Sequence, residues 1–324
     1  MQTVNWGVLG ASEFARKQMA PAIHAARGAR LAALASASPN KAQAFNDFAP
    51  DMVVHDSYDA LLADPGIDAV YIPLPNHMHV EWTLRALDAG KHVLCEKPIA
   101  LKEDEFDALI ARRDAVGRLA AEAFMIVHHP QWQWVRQQVQ NEGIGRLRHV
   151  SGIFSFENRA DTGNIRNRAE TGGGALRDIG VYVLGAARYV SGAEPEDVRA
   201  RIRWDDGVDG FTAIDADFEG FTYSAYVSMR MHPFQEMTFH GEDGLIKVVT
   251  PFNAGVFGEA RVELHKPGLV TETVRFPSEN HYVLQVEAFG RSVREGAEYP
   301  CPLEFSRGTQ RVIDRVFAAA DDLS

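Results

Sequence analysis

Four short apolar runs, "VNWGVLG" (4–10), "ARLAALAS" (29–36), "IDAVYIPLP" (67–75) and "HVLCEK" (92–97), alternate with segments of helical period. No other feature limits the fold as much. Apolar runs of this length read as strands buried on both faces, and strands joined through helices run parallel. The helical segments are "EFARKQMAPAIHAA", "PNKAQAFNDFA", "SYDALLAD" with Ser57 as N-cap, "HVEWTLRALDAGK" ended by Gly90, and "KEDEFDALIARRDAVG" ended by Gly117. "MVVHD" supplies one more short strand, and "RLAAEAFMIVHH" brings the sheet to another near residue 124. The expected fold class is α/β, a Rossmann-type doubly wound parallel sheet.

Beyond residue 124 the texture changes. After the helix "PQWQWVRQQVQNEG" come "LRHVSGIFSFEN", a Gly-rich stretch with a second helix, and a series of alternating runs from "EDVRARIRWD" to "VTETVRF" broken by Gly, Asp-Gly or Pro-Gly. Such runs, without helices between them, predict a large, mostly antiparallel open sheet. One face carries helices, and the other is the expected surface of a homo-oligomer, a dimer or tetramer. The tail "FSRGTQRVIDRVFAAADDL" closes the chain as a helix expected to pack back on the first domain. With 324 residues the chain exceeds one comfortable core. The expected division is therefore 1–124, a dinucleotide-binding domain, and 125–324, an α+β substrate and oligomerisation domain.

Charge and cysteine content exclude several classes. There are 33 basic and 44 acidic side chains, a formal charge of -11, which argues against nucleic-acid and anionic-membrane partners. Only Cys95 and Cys301 occur, and the start "MQTVNWGVLG" lacks the basic and apolar regions of a signal peptide. The expected compartment is a reducing cytoplasm. No uncharged apolar stretch approaches the roughly 20 residues of a membrane span.

Where the first strand turns into the first helix stands Gly10-Ala11-Ser12-Glu13-Phe14-Ala15, in G-x-S-x-x-A order. Glycine permits the tight turn, a small third residue lets backbone N–H groups approach a pyrophosphate, and the final Ala allows close helix-strand packing. An NAD site places a carboxylate about 20 residues on, at the end of the second strand, to accept from the ribose hydroxyls. Here no Asp or Glu lies between Leu31 and Asn46. Ser36, Ser38 and Lys41 instead suit a 2'-phosphate, so the expected cofactor is NADP, with NAD as the alternative. The plainer reading makes them loop hydroxyls and an exposed helix lysine.

"YIPLPNHMH" (71–79) and "LCEKP" (94–98) are both carboxyl ends of apolar strands, where ligands gather in open α/β sheets. Pro73, Leu74, Asn76, His79, Glu96 and Lys97 are thereby expected to face one cleft with the nicotinamide. A lysine at such a strand end binds a substrate hydroxyl or acidifies a neighbour, unless it is simply a solvated partner of Glu96. "TGGGALRDIGVYVLG" (171–185) offers partners for it: Asp178 and Tyr182, four apart, share one helix face. Tyr182 is the expected general base, and Asp178 is expected to orient a substrate hydroxyl or Tyr182 itself. Taken singly, a core tyrosine and a helix-start carboxylate explain them equally well.

Together these stretches resemble the Gfo/Idh/MocA oxidoreductase family. The dinucleotide turn, "PNHMH", "AGKHVLCEKP" and "GGGALRDIGVY" occur in its order and at its approximate separations, across essentially the whole chain. The resemblance implies that Lys97 is the family's essential lysine and Asp178 its substrate-site aspartate. It also implies that Tyr182 occupies the position held by His or Tyr in different members. "GNIRNRAETGGGALRDIGVY" is similar to the glucose-fructose oxidoreductase, xylose dehydrogenase and dihydrodiol dehydrogenase branch. Its substrates are sugars, polyols, their keto forms and cyclic diols. Ile126 and Val127 stand where that branch often has Tyr and Arg. Arg166 is a candidate for substrate or cofactor contact, with an exposed loop cation as the competing reading, and His129 is either a packed or a substrate-side imidazole.

Twelve histidines invite a metal, but no Cys-x-x-Cys or His-Glu-x-x-His spacing is present, and no metal is expected. A non-catalytic NAD(P)-binding sensor is the rival of a different class, and such a protein is expected to have lost Lys97, Asp178 or Tyr182. A reductase of keto-sugars uses the same residues in the opposite direction.

Overall fold

The computed structural model describes residues 3–323. Its strands are β1 Val4–Leu9, β2 Ala29–Ala35, β3 Val53–His55, β4 Ala69–Ile72, β5 His92–Cys95, β6 Ala120–Glu122, β7 Leu147–Glu157, β8 Pro195–Asp205, β9 Val208–Phe218, β10 Phe221–Ser228, β11 Arg230–Gly241, β12 Leu245–Val248, β13 Arg261–Lys266, β14 Val270–Arg275 and β15 Ala320–Asp322. Its helices are α1 Ala20–Ala25, α2 Pro39–Gln43, α3 Tyr58–Leu62, α4 His79–Asp88, α5 Glu105–Val116, α6 Pro130–Gln140, α7 Val181–Ser191, α8 His281–Glu295 and α9 Leu303–Ala318. π-helical turns, Ala15–Met19 and Leu176–Gly180, run directly into α1 and α7.

Two compact units emerge. The first comprises the chain up to Ala100, Asp104–His128 and Asn280–Ser306; the second comprises Leu101–Glu103, His129–Glu279 and the chain from Arg307. The single boundary expected after residue 124 is thus corrected. It falls at His128/His129, and the chain returns to the first unit at Asn280. The returning segment is α8 with the first turn of α9, whose Leu303 joins the first unit's core, while α9 beyond Ser306 belongs to the second unit. The reason is packing: Phe289 of α8 lies against Trp6 of β1, ring centroids 5.0 Å apart, and Glu287 binds Arg27. Hydrophobic period reports that a helix has an apolar face, not which core that face joins.

In the first unit six strands pair in the order β3-β2-β1-β4-β5-β6, every neighbour parallel. Trp6, Val8, Leu9, Val70, Ile72, Val93 and Leu94 are fully buried, as a sheet covered on both faces requires. Local signals operate as read: Ser57 Oγ accepts from Ala60 N to cap α3, and Gly117 ends α5 in the left-handed conformation. Glycine at position 7 has a steric reason, since a Cβ there would lie 2.6 Å from Leu61 of α3.

In the second unit nine strands pair as β14-β13-β12-β11-β7-β10-β9-β8-β15. β7–β10 and β15–β8 are parallel and the other pairs antiparallel. The β8–β9 hairpin turns on Asp206 and Gly207, both at positive φ, the combination that matches strand twist. α7 is buried along Val181–Val190, and Gly152 of β7 lets it approach the sheet, because a Cβ there would lie 3.2 Å from Val183.

Candidate active site

One group of candidate residues lies at the carboxyl edge of the parallel sheet of the first unit. Strand order reverses between β1 and β4, and the crevice outside their ends is where such sheets bind ligands. Gly10 follows β1 at φ 106°, its N–H donating to Ala35 O. A Cβ at Gly10 would lie 3.1 Å from Leu74 and 3.4 Å from Tyr58 Oη, so a side chain has neither the space nor the backbone angle. Ser12 Oγ accepts from Ala15 N at 3.1 Å, which spends the hydroxyl on starting the helix. Glu13 is exposed and paired with Lys17 at 2.5 Å, and that cation holds its carboxyl below the usual range. Phe14 stands edge-on to Tyr282 of α8, 5.6 Å between centroids.

After β2, Ser36 Oγ donates to Ser38 O and accepts from Ser38 N, closing a small turn beside exposed Lys41. After β4, Pro73 is half-buried, Leu74 packs at Gly10, and Asn76 opens a 3-10 turn. His79 is fully buried, its ring nitrogens each 2.7 Å from a carbonyl oxygen, Leu74 O and Pro98 O. Burial pushes its imidazole down to about 4, so the neutral ring has one N–H to donate between the two. His79 therefore clamps the loop after β4 to the loop after β5. The expectation that it touches the cofactor is corrected, because neither nitrogen is left facing the crevice.

After β5 come Glu96 and Lys97, with a cis bond between Lys97 and Pro98. Tyr71 Oη donates to Glu96 Oε1 at 2.6 Å, and burial raises the Glu96 carboxyl above its ordinary value. Tyr282 is held near by α8, its own phenol raised first by burial and then by Glu96. Tyr71 and Tyr282 were missed from sequence. The signal for Tyr282 was Asn280, which caps α8 by accepting from Tyr282 N and Val283 N.

A second group of candidate residues, in the second unit, lies on the glycine turn before α7. Arg166 Nε donates to Asp178 Oδ2 at 2.7 Å. Asp178 is in the π-helical turn, and Tyr182 follows in α7 with its ring 5.5 Å from Phe252 and 6.0 Å from Phe154. His129, expected at the substrate, is fully buried; its Nδ1 accepts from Gln131 N to cap α6, and its ring lies edge-on to Phe276. That expectation is corrected too. Among the described residues no group of three or more His, Cys, Asp or Glu is placed to hold a metal ion, and no helix is long and apolar enough to cross a membrane.

A 3-2-1-4-5-6 parallel sheet with a glycine turn at its switch point defines a Rossmann-type dinucleotide-binding protein. Residues 4–124 match the oxidoreductase family with NAD-binding Rossmann fold, and residues 132–247 match the GFO/IDH/MocA C-terminal domain. The chain belongs to the Gfo/Idh/MocA family of oxidoreductases, enzymes that interconvert CH–OH and C=O groups of sugars.

Among its relatives is the dTDP-3,4-didehydro-2,6-dideoxy-alpha-D-glucose 3-reductase of Actinomadura kijaniata, 32% identical over 98% of this chain and 96% of its own. Another is D-xylose 1-dehydrogenase (NADP(+)) 2 of Haloferax volcanii, 33% identical over 98% and 97%. The crystal structure of a 3-ketoreductase from Actinomadura kijaniata, in complex with NADP and TDP-benzene, superposes with a TM-score of 0.91 at 30% identity, covering 99% of both chains.

Proposed function

We propose that this protein is an NADP-preferring oxidoreductase that interconverts a carbinol and a carbonyl carbon of a sugar, polyol or cyclic diol. The observation that carries the reading is the Glu96–Lys97 pair at the end of β5, beside the switch point and braced by Tyr71. The site fits a dinucleotide: the Gly10 turn leaves no room for a side chain, and the segment from Leu31 to Asn46 offers Ser36, Ser38 and Lys41 but no carboxylate. When bound, the nicotinamide supplies or accepts the hydride.

The chain's own residues do the rest. Lys97 donates a hydrogen bond to the reacting oxygen and stabilises negative charge there. Tyr182 takes the proton from the alcohol, or returns it to the carbonyl oxygen in reduction. Asp178, held by Arg166, accepts from a neighbouring substrate hydroxyl and sets its orientation. Names of relatives that act on sugars, one a reductase and one a dehydrogenase, support the substrate class and leave both directions to this site. Reduction of a keto-sugar is the second reading, favoured by the ketoreductase likeness over the full chain.

A panel of aldoses, inositols, keto-sugars and cyclic diols, scanned at the reduced-nicotinamide absorbance with both cofactors, tests the proposal. Lys97→Met and Tyr182→Phe are each expected to lower kcat on the best substrate by about 10²- to 10⁴-fold with cofactor binding retained. Unimpaired variants remove these residues from the chemistry. Cofactor binding with no turnover across the panel favours the sensor.

A further inference from the structure

Asp209 takes no part in the proposed chemistry, yet it is 1% exposed and ionisable. From β9 its Oδ2 accepts from Leu176 N at 2.6 Å and from Thr212 Oγ1 at 2.9 Å. Leu176 opens the π-helical turn that carries Asp178 and leads to Tyr182. The first N–H groups of a helix lack acceptors within it, and a capping side chain just upstream ordinarily serves them. Here the upstream residues are Gly173, Gly174 and Ala175, with no side chain able to cap, and a carboxylate 33 positions downstream does so instead.

The same carboxylate shapes the glycine turn. Gly174 has φ 115°, and a Cβ built on it would lie 1.9 Å from Asp209 Oδ1. Its N–H donates to Arg166 O, while a Cβ at Gly173 would lie 2.4 Å from that same oxygen. The segment bearing Arg166, the turn and the start of the helix bearing Asp178 are therefore locked around Asp209. The lock is costly: burial pushes the carboxyl up to about 6, against the bonds from Leu176 and Thr212 and the nearby Arg177 guanidinium. A neutral residue of similar shape avoids that desolvation cost.

We propose that Asp209 is a positioning residue for the substrate half of the site: by holding the Gly173–Gly174 turn and Leu176, it sets the direction in which Asp178 and Tyr182 are presented. This rests on Asp178 and Tyr182 meeting the substrate. The test compares Asp209→Ala, Asp209→Asn and Thr212→Val by NADPH fluorescence titration, kcat and KM, and hydrogen–deuterium exchange over residues 174–182. In Asp209→Ala, cofactor affinity holds, kcat falls about 10- to 100-fold, and amides from 176 onward exchange about tenfold faster or more, as expected for losing a bond to a charged acceptor.

Asp209→Asn, which keeps an acceptor oxygen, restores most of both, and Thr212→Val falls between. Unchanged exchange in Asp209→Ala overturns the proposal, as does faster exchange with kcat and KM intact. If Asp209→Ala does not fold, exchange and kcat in the other two variants decide by the same criteria. Full activity in Tyr182→Phe instead overturns the reading of the site, and exchange then still decides whether Asp209 holds this turn.

Discussion

Arg166 Nε donates to Asp178 Oδ2 at 2.7 Å, placing a half-exposed guanidinium against a buried carboxylate. A buried acid bonded by an arginine is held in a fixed orientation. Replacing Arg166 by Met is therefore expected to raise KM for the substrate about tenfold with a smaller change in kcat, and Arg166→Lys to recover little, because an ammonium lacks the planar fork. An unchanged KM in Arg166→Met would remove the pair from substrate orientation.

Cofactor preference follows from the loop after β2. With no carboxylate to repel a 2'-phosphate and Lys41 exposed on α2, NADPH is expected to bind about tenfold tighter than NADH or more. Lys41→Ala should narrow the gap, as should raised ionic strength. Fluorescence titration with both cofactors measures this, and the reverse ranking refutes it.

Acid lability is built into the buried histidines. His79, His128 and His129 are at most 5% exposed, and burial lowers their imidazoles to about 4, 3 and 4. The unfolded chain takes up those protons first, near 6.5, so stability present above that pH is lost as the pH falls, roughly 2 kcal/mol per histidine between pH 7 and 5. Asp209 has the opposite sign: its folded value of about 6 lies above the unfolded 3.8, so it gains stability as pH falls through that window. Urea melts at pH 7.5, 6 and 5 should show the wild type weakening overall, yet gaining relative to Asp209→Asn. A flat wild-type profile contradicts the histidine burial, and a constant difference contradicts that of Asp209.

In β7, Gly152 faces α7, so by strand alternation His149, Ser151 and Ile153 point to the opposite face of the sheet. On it Ser151 pairs with Thr238, and His149 bonds Thr222 and Ser224, while Ile153 stands between Glu236 and Tyr226 on the neighbouring strands, all half-buried or better apart from Thr222. We propose this face as the contact of a homo-oligomer. Sedimentation at micromolar concentration should show a dimer or tetramer that Ile153→Arg shifts to monomer. A wild-type monomer removes the proposal.

Much of the scaffold was readable without coordinates because its signals are local. The apolar runs 4–10, 29–36, 67–75 and 92–97 became β1, β2, β4 and β5, and the Ser57 cap and the Gly117 terminator acted where they stand. α8 escaped, although Asn280 announced it. Asp209 escaped for a deeper reason: its partner Leu176 is 33 residues away, and no pattern along β9 says that an aspartate there will cap a helix.

The sequence by itself determined that strands alternate with helices, that glycine must follow β1, and that a lysine ends β5, since period, backbone permissiveness and residue chemistry are written position by position. Only the tertiary structure decided that α8 joins the first unit, that His79 and His129 are spent on clamping and capping, and that Asp209 holds the turn before Tyr182. Those outcomes depend on which groups meet after burial, where every polar atom must find a partner across the chain.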